Sequence, residues 1–157
     1  MGMTERINRN VDLSYWEGDI PVNYVYTYGL GLEAFFRKLK DQGRFLASRC
    51  ESCGVVYLPA RIFCERCLAE IEGTFQVPGT GTVYAFTVVH KNMDESSKKE
   101  PVIVALIDMD ETDSRMVHYL TGVKPEDVKV GMPVKAVLKK KKERRGHIED
   151  IVGFKPV

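Results

Sequence analysis

The chain has 157 residues, 44% of them hydrophobic and 29% charged, with 23 basic residues against 22 acidic and a net charge of +1. That length accommodates one ordinary domain or two small ones, and the composition excludes wholesale disorder. So balanced a charge also excludes a bulk attraction to nucleic acid or anionic membrane, leaving only local patches for such partners.

The first residues, MGMTERINRN, contain no apolar run, and no stretch approaches the roughly 18 apolar residues of a membrane span. Gly2 follows Met1, but Arg6 stands where a myristoylation motif takes Ser or Thr. A soluble cytoplasmic protein with no membrane partner is therefore expected. Tyr15, Trp16, Tyr24, Tyr26 and Tyr28 come next without helical period, and Ile20-Pro21 favours extended backbone. They predict an extended aromatic arm that lies on its own domain or on a partner protein.

Leu32, Phe35, Phe36 and Leu39 stand at i, i+3, i+4 and i+7, with Glu33, Arg37, Lys38, Lys40 and Asp41 on the other face. This is the pattern of an amphipathic helix of about three turns. Glu33 and Arg37 form a favourable i, i+4 pair, Gly43 suits the stop, and the apolar stripe is expected to cover the flank of the cysteine-bearing segment after it. Gly29-Leu30-Gly31-Leu32-Glu33-Ala34 also matches G-x-G-x-x-A, the start of a dinucleotide fingerprint. Cysteines occupy the place where the second strand of that unit would have to lie, so no βαβ closes and the match is read as chance.

All four cysteines fall within 18 residues, as Cys50-x2-Cys53, ten residues, and Cys64-x2-Cys67. Two residues between cysteines allow a tight turn that aims both sulfurs at one point, and two such turns supply the corners of a zinc tetrahedron. An iron–sulfur or other tetrathiolate site is the alternative metal. Disulfides suit poorly a chain without an export signal, and a redox C-x-x-C would sit once on a βαβ unit. With all four corners taken by protein, the zinc is expected to be structural. Arg49, Arg61 and Arg66 lie beside the ligands and offset the net −2 of a tetrathiolate site.

From residue 79 the pattern turns to short strands rich in β-branched residues, expected near 80–91, 101–109, 114–121, 132–140 and 148–155. Pro125-Glu126-Asp127-Val128 makes a helical turn between the third and fourth. Five strands so interrupted describe an OB-type barrel. Gly79 and Gly81 at its entry are read as a bend or bulge. The basic run Lys139–Arg145 is read as the solvated tip of a hairpin. The fold expected is mainly β: an arm and helix over residues 1–43, a rubredoxin-like zinc ribbon over 44–76, and a five-stranded OB-fold over 77–157.

OB-folds often take single-stranded nucleic acid on strands two and three, and that is the alternative function here. The second strand, Val102 to Met109, carries no aromatic residue, and the third offers only His118 and Tyr119. The platform is poor, and nucleic acid is the less favoured partner. Catalytic constellations are not evident. His90, His118 and His147 lie in no known motif, and Asp108 and Asp110 read as a solvated strand end.

With these elements placed, PVNYVYTYGL, RFLASRCESCGVVYLPARIFCERC, GTGTVYAFTVVH, VKVGMPVKAVL and the closing GFKP resemble the zinc-ribbon/OB-fold acyl-CoA-associated family, long filed as a domain of unknown function. The resemblance spans residues 20–157, and the family's zinc ligands map onto Cys50, Cys53, Cys64 and Cys67. The chain departs from the family at Val102, where many members carry an aromatic, and at Phe75, where a tryptophan is frequent. The resemblance implies a non-catalytic companion of thiolase-fold enzymes. Similar archaeal members bridge an acetoacetyl-CoA thiolase and a hydroxymethylglutaryl-CoA synthase on the mevalonate route to isoprenoid lipids, and help hold the CoA thioester between them. The 3′-phospho-ADP end of CoA then needs a few cations. Arg61, Lys91 and Lys98 are the candidates if the groove lies between ribbon and barrel, with Lys140 and Arg144 as rivals.

Overall fold

The computed structural model describes Gly18 and residues 24–157, so Tyr15, Trp16 and the Ile20-Pro21 step of the expected arm lie outside the described residues. Helix α1 (Gly29–Gln42) begins a turn earlier than the apolar stripe suggested. Its stripe buries Phe35 and Leu39 completely, and the Phe35 ring meets Phe36 and Phe45 edge to face at 5.3 and 6.0 Å. The Arg37 Nε donates to Glu33 on the solvent side at 2.6 Å, and the Gly43 N–H closes the helix on the Leu39 carbonyl at 2.9 Å. Gly31 has a packing role: a Cβ there would stand 2.6 Å from the Ala60 carbonyl oxygen, so the helix meets the loop at 59–61 backbone to backbone.

Three short strands form the ribbon sheet: β1 (Phe45–Arg49) in the centre, flanked by β2 (Val56–Tyr57) and β3 (Phe75–Val77), both antiparallel to it. Four consecutive residues of β1, Phe45 to Ser48, are buried, because the strand is covered on both faces. The Ser48 hydroxyl donates to the Arg61 carbonyl at 3.0 Å and accepts the Arg61 N–H at 2.8 Å, which satisfies a fully buried polar group.

The second sheet closes into a barrel of β4 (Thr80–Lys91), β5 (Ser97–Met109), β6 (Arg115–Leu120), β7 (Pro133–Leu138) and β8 (Ile151–Pro156), in the order β4-β5-β6-β8-β7. Every pairing is antiparallel except β6 with β8, which is parallel, and a single 3-10 turn at Pro125–Asp127 precedes β7. This is the expected five-stranded OB-fold. Its interior includes Val83, Ile103, Ala105, Ile107, Met116, Val134, Ile151 and Phe154, continuous with Phe35, Leu39 and Phe45 of the helix and ribbon in one buried cluster. No helix among the described residues is long and apolar enough to cross a membrane.

Two expectations change. The bulges of β4 fall at Val83/Ala85 and Val89/Lys91, not at the entry glycines. A Cβ on Gly81 would stand 2.2 Å from the Asp108 carbonyl oxygen, so that glycine lets β4 and β5 approach. The basic run is not a free tip either. It forms a 3-10 turn at Lys141–Glu143, and a second turn at Ile148–Asp150 delays the last strand to Ile151. Arg144 is half-buried beneath the helix end, its guanidinium donating to the carbonyls of Lys139 at 2.8 Å and Leu39 at 3.5 Å. Arg144 thus adds a second, longer donor to the Leu39 carbonyl that the Gly43 N–H already closes, and ties the loop to the helix end.

Candidate functional site

The two cysteine pairs sit on two similar turns. In the first, the Gly54 N–H returns to the Cys50 carbonyl at 2.8 Å and Cys50 N–H reaches Val55 at 2.9 Å. In the second, Leu68 N–H returns to Cys64 at 3.0 Å and Cys64 N–H reaches Ala69 at 2.9 Å. All four Sγ atoms lie within 4.8 Å of one another, with Cys50–Cys67 and Cys53–Cys64 both at 3.5 Å. A thiolate–zinc tetrahedron with bonds near 2.3 Å sets its sulfurs about 3.8 Å apart, so the donor set and its spacing fit zinc. Cys50, Cys53, Cys64 and Cys67 would hold it, and with no position left for substrate its contribution would be to the fold. Cys50 and Cys64 are buried and Cys53 and Cys67 exposed.

Tyr57 completes the site. Its buried hydroxyl lies 3.2 Å from Cys64 Sγ, while Arg66 N–H approaches the same sulfur at 3.4 Å. The hydrogen bond from Tyr57 is the main reason the metal-free Cys64 thiol is drawn down to about 5, and the same bond pushes the Tyr57 phenol up to about 12. Among the guanidiniums expected to offset the site's charge, Arg61 lies over the Tyr57 ring at 4.8 Å and pairs with Glu65, whereas Arg49 turns to the Phe75 ring at 6.0 Å.

The two turns differ at their left-handed residue. Gly54 and Leu68 both take left-handed backbone, with φ of 76° and 61°, and only the first is a glycine. Left-handed backbone costs a side-chain-bearing residue about 1–2 kcal/mol, against roughly 0.5–1 kcal/mol of extra unfolded-state entropy for glycine. Leu68 is exposed, so little packing is at stake. Leu68→Gly is expected to raise the stability of the zinc-loaded protein by about 0.5–1 kcal/mol, read from the midpoint of chemical denaturation.

The five basic candidates for CoA do not come together in one cleft. Lys91 and Lys98 belong to the β4–β5 hairpin, where Lys98 Nζ donates to Asn92 Oδ1 at 2.7 Å. Lys140 is exposed before the 3-10 turn, and Arg144 is engaged at the helix end. Arg61 lines a cleft of about 480 Å³ between ribbon and barrel, together with Glu65, Arg66, Asp113 and Arg115. Arg115, which composition does not distinguish from any surface cation, lies 3.7 Å over the Tyr84 ring and pairs with Asp108.

The barrel carries a second feature. Its bulge at Val83/Ala85 puts Ala85, Thr87 and Val89 opposite Leu106, Val104 and Val102 of β5, and Leu106 and Val104 continue the rows to Val117 and Tyr119 of β6. Because Ile103, Ala105 and Ile107 point inward, this row points outward, and it is apolar almost throughout. Val117 and Tyr119 remain 64% and 53% exposed. Val89, Val102, Val104, Tyr119 and Val152 line a cleft of about 560 Å³, with Lys98 also in its lining. On the N-terminal side, Tyr28 packs against Phe36 at 5.6 Å, while Tyr24 and Tyr26 are exposed. The histidines have local structural roles or face solvent. His118 is half-buried against Phe154 at 5.9 Å, which lowers its pKa by desolvation, His147 caps the 3-10 turn through the Glu149 N–H at 3.3 Å, and His90 is exposed.

Residues 37–72 match the family model of the rubredoxin-like zinc ribbon domain of ChsH2, and residues 75–139 that of its C-terminal OB-fold domain. A DUF35 domain-containing scaffold protein of Methanocaldococcus jannaschii is 35% identical over 109 residues, 69% of this chain and 77% of that protein. A probable enoyl-CoA hydratase alpha subunit of Thermomonospora curvata is 32% identical over 101 residues, 64% of this chain but only 31% of the subunit. Among solved structures, a DUF35-family protein of unknown function from Sulfolobus solfataricus superposes with a TM-score of 0.59 at 30% identity, over 69% of this chain and 78% of its own. A chain of the Ltp2-ChsH2(DUF35) aldolase gives 0.57 at 28% identity, over 79% and 93%.

Proposed function

The chain belongs to the DUF35 family of scaffold proteins, and on that footing we propose that it is an acyl-CoA-associated accessory chain with no catalysis of its own, which bridges an acetoacetyl-CoA thiolase and a hydroxymethylglutaryl-CoA synthase and helps pass the CoA-bound intermediate. The observation that carries this reading is the apolar outward row of β4, β5 and β6, a surface suited to a partner protein. A relative named as a hydratase subunit and a neighbour described as an aldolase point to the same company of acyl-CoA enzymes. Bridging gains its effect from proximity, since a tethered thioester meets the second enzyme at millimolar local concentration or thereabouts. The phosphates of CoA belong in the ribbon–barrel cleft on Arg61, with Arg66 and Arg115 beside it, and Lys98 lines the separate apolar cleft. Single-stranded nucleic acid is the weaker reading: the outward row offers Tyr119 as its aromatic, and the Tyr84 face lies beneath Arg115.

The test is a tagged full-length chain recovered from its native host, with mass spectrometry of the proteins that accompany it. Thiolase-fold enzymes are expected in near-stoichiometric amount. Leu106→Asp with Val117→Asp should reduce them at least tenfold while one zinc per chain is kept. Recovery of ribosomal or replication factors alone, or turnover of an acyl-CoA by the isolated chain, would overturn the proposal.

A further inference from the structure

Strand β2 is two residues long, yet its flanking backbone is bonded to the far domain. Val56 N–H donates to Asp113 Oδ2 at 2.8 Å, and the Val56 carbonyl accepts from Asp113 N–H at 3.0 Å. Leu58 N–H donates to Ser114 Oγ at 2.9 Å, and that hydroxyl also reaches the Val56 carbonyl at 3.4 Å. Asp113 and Ser114 form the turn between β5 and β6, so the residues on either side of Tyr57 are clamped by the barrel. Tyr57 itself pairs with Ser48 of β1 and faces the small core of Cys50, Cys64 and Ile71. A phenol buried to this degree needs a hydrogen-bond partner, and the side chain that meets it is Cys64, its sulfur at 3.2 Å. A metal-bound thiolate has no proton to give, so the phenol donates. The Arg61 guanidinium over the ring closes its outer face.

We propose that Tyr57 is a positioning residue for the zinc, and that the β5–β6 turn of the barrel steadies the metal through it. Asp113 and Ser114 fix β2, β2 fixes the phenol, and the phenol holds the Cys64 sulfur in the geometry the metal requires. Partners of metal ligands commonly alter affinity by 10–100-fold when removed. The inference concerns the metal centre alone and stands whichever enzymes the protein meets.

The experiment uses the full zinc-loaded chain and three variants: Tyr57→Phe, the pair Asp113→Ala with Ser114→Ala, and the three changes combined. Zinc transfer to a chromogenic chelator gives affinity and release rate. The sulfur-to-metal charge-transfer band of the cobalt-substituted protein reports the thiolates directly, which a loss of bulk stability would not shift. Tyr57→Phe is expected to weaken zinc about tenfold and to move the cobalt band. The turn pair, which touches no ligand, should act in the same direction by a smaller factor, and the combination should exceed Tyr57→Phe alone by little, as coupled groups do. Wild-type zinc release and an unmoved band in Tyr57→Phe would overturn the positioning role. A turn pair identical to wild type, or full additivity in the combination, would overturn the link to the barrel. Should Tyr57→Phe fail to take up one zinc, the turn pair decides alone: faster release with a moved band supports the inference, and wild-type behaviour overturns it.

Discussion

Cys50→Ser or Cys64→Ser is expected to abolish stoichiometric zinc and unfold the ribbon. Both sulfurs are buried, and the ribbon's private core consists of Cys50, Tyr57, Cys64 and Ile71 with Val55 and Ala69 against it. So few apolar side chains bury too little surface to order the loops around them. The metal supplies the missing stability, since zinc binding to small structural sites contributes of the order of 10–16 kcal/mol. Serine is a poor zinc ligand, and losing one corner should destabilise the ribbon by more than about 5 kcal/mol. Elemental analysis of the purified variant and limited proteolysis across residues 44–76 check this. One equivalent of zinc with wild-type melting would refute it.

Asp150→Ala should destabilise the protein by about 3 kcal/mol, the largest effect expected outside the metal centre. The carboxylate is buried just before β8 and accepts the N–H groups of Arg145 at 2.9 Å, Gly146 at 2.7 Å and His147 at 3.2 Å. Alanine leaves those donors without their acceptor and frees the loop that docks on α1. Burial alone would raise the Asp150 pKa, but the three N–H groups and the nearby Lys139 outweigh it and hold the carboxyl below its ordinary value. A carboxylate whose folded pKa is depressed contributes stability in full above its unfolded pKa, near 4, and loses it as pH falls through the folded value. The gap between parent and variant should therefore be constant near neutrality and shrink below about pH 4. Denaturation compared between the two proteins at each pH reads this cleanly, because acid removes zinc from both alike. A gap that widens in acid would contradict the assignment.

Much of this architecture is legible in the residues, and the rest is hidden for identifiable reasons. The cysteine spacing states the metal centre, because two-residue gaps and four sulfurs admit few alternatives. Strand β4 runs over 80–91 as its β-branched alternation suggests, and β6 and β7 fall within two residues of the expected bounds. Strand β5 starts at Ser97 rather than Pro101, since Ser97-Lys98-Lys99-Glu100 precede the stretch paired with β6 and, polar throughout, show no alternation to read. The three ribbon strands have five, two and three residues, too few for a period. Arg144 is hidden among like charges, and only the fold tells it from Lys140 by bringing the helix end over it. Tyr57, Asp113 and Ser114 are missed for the same reason: their partners stand seven to 58 residues away along the chain. A polar pair at a hairpin turn was the signal at hand, and it is too common to single out.

Phe35, Phe45 and Leu46 share their burial with Val134 and Phe154, so the two halves of the molecule are joined by a seam of interlocked side chains rather than by a hinge. A protein assembled this way cannot lend out one half. Separating the barrel from the ribbon would strip an oily flank from each, and any lineage that exchanged one module for another would have to recut the surviving surface. Two partners gripping opposite ends would therefore feel each other's pull as through a rigid strut, their spacing fixed by the body between them.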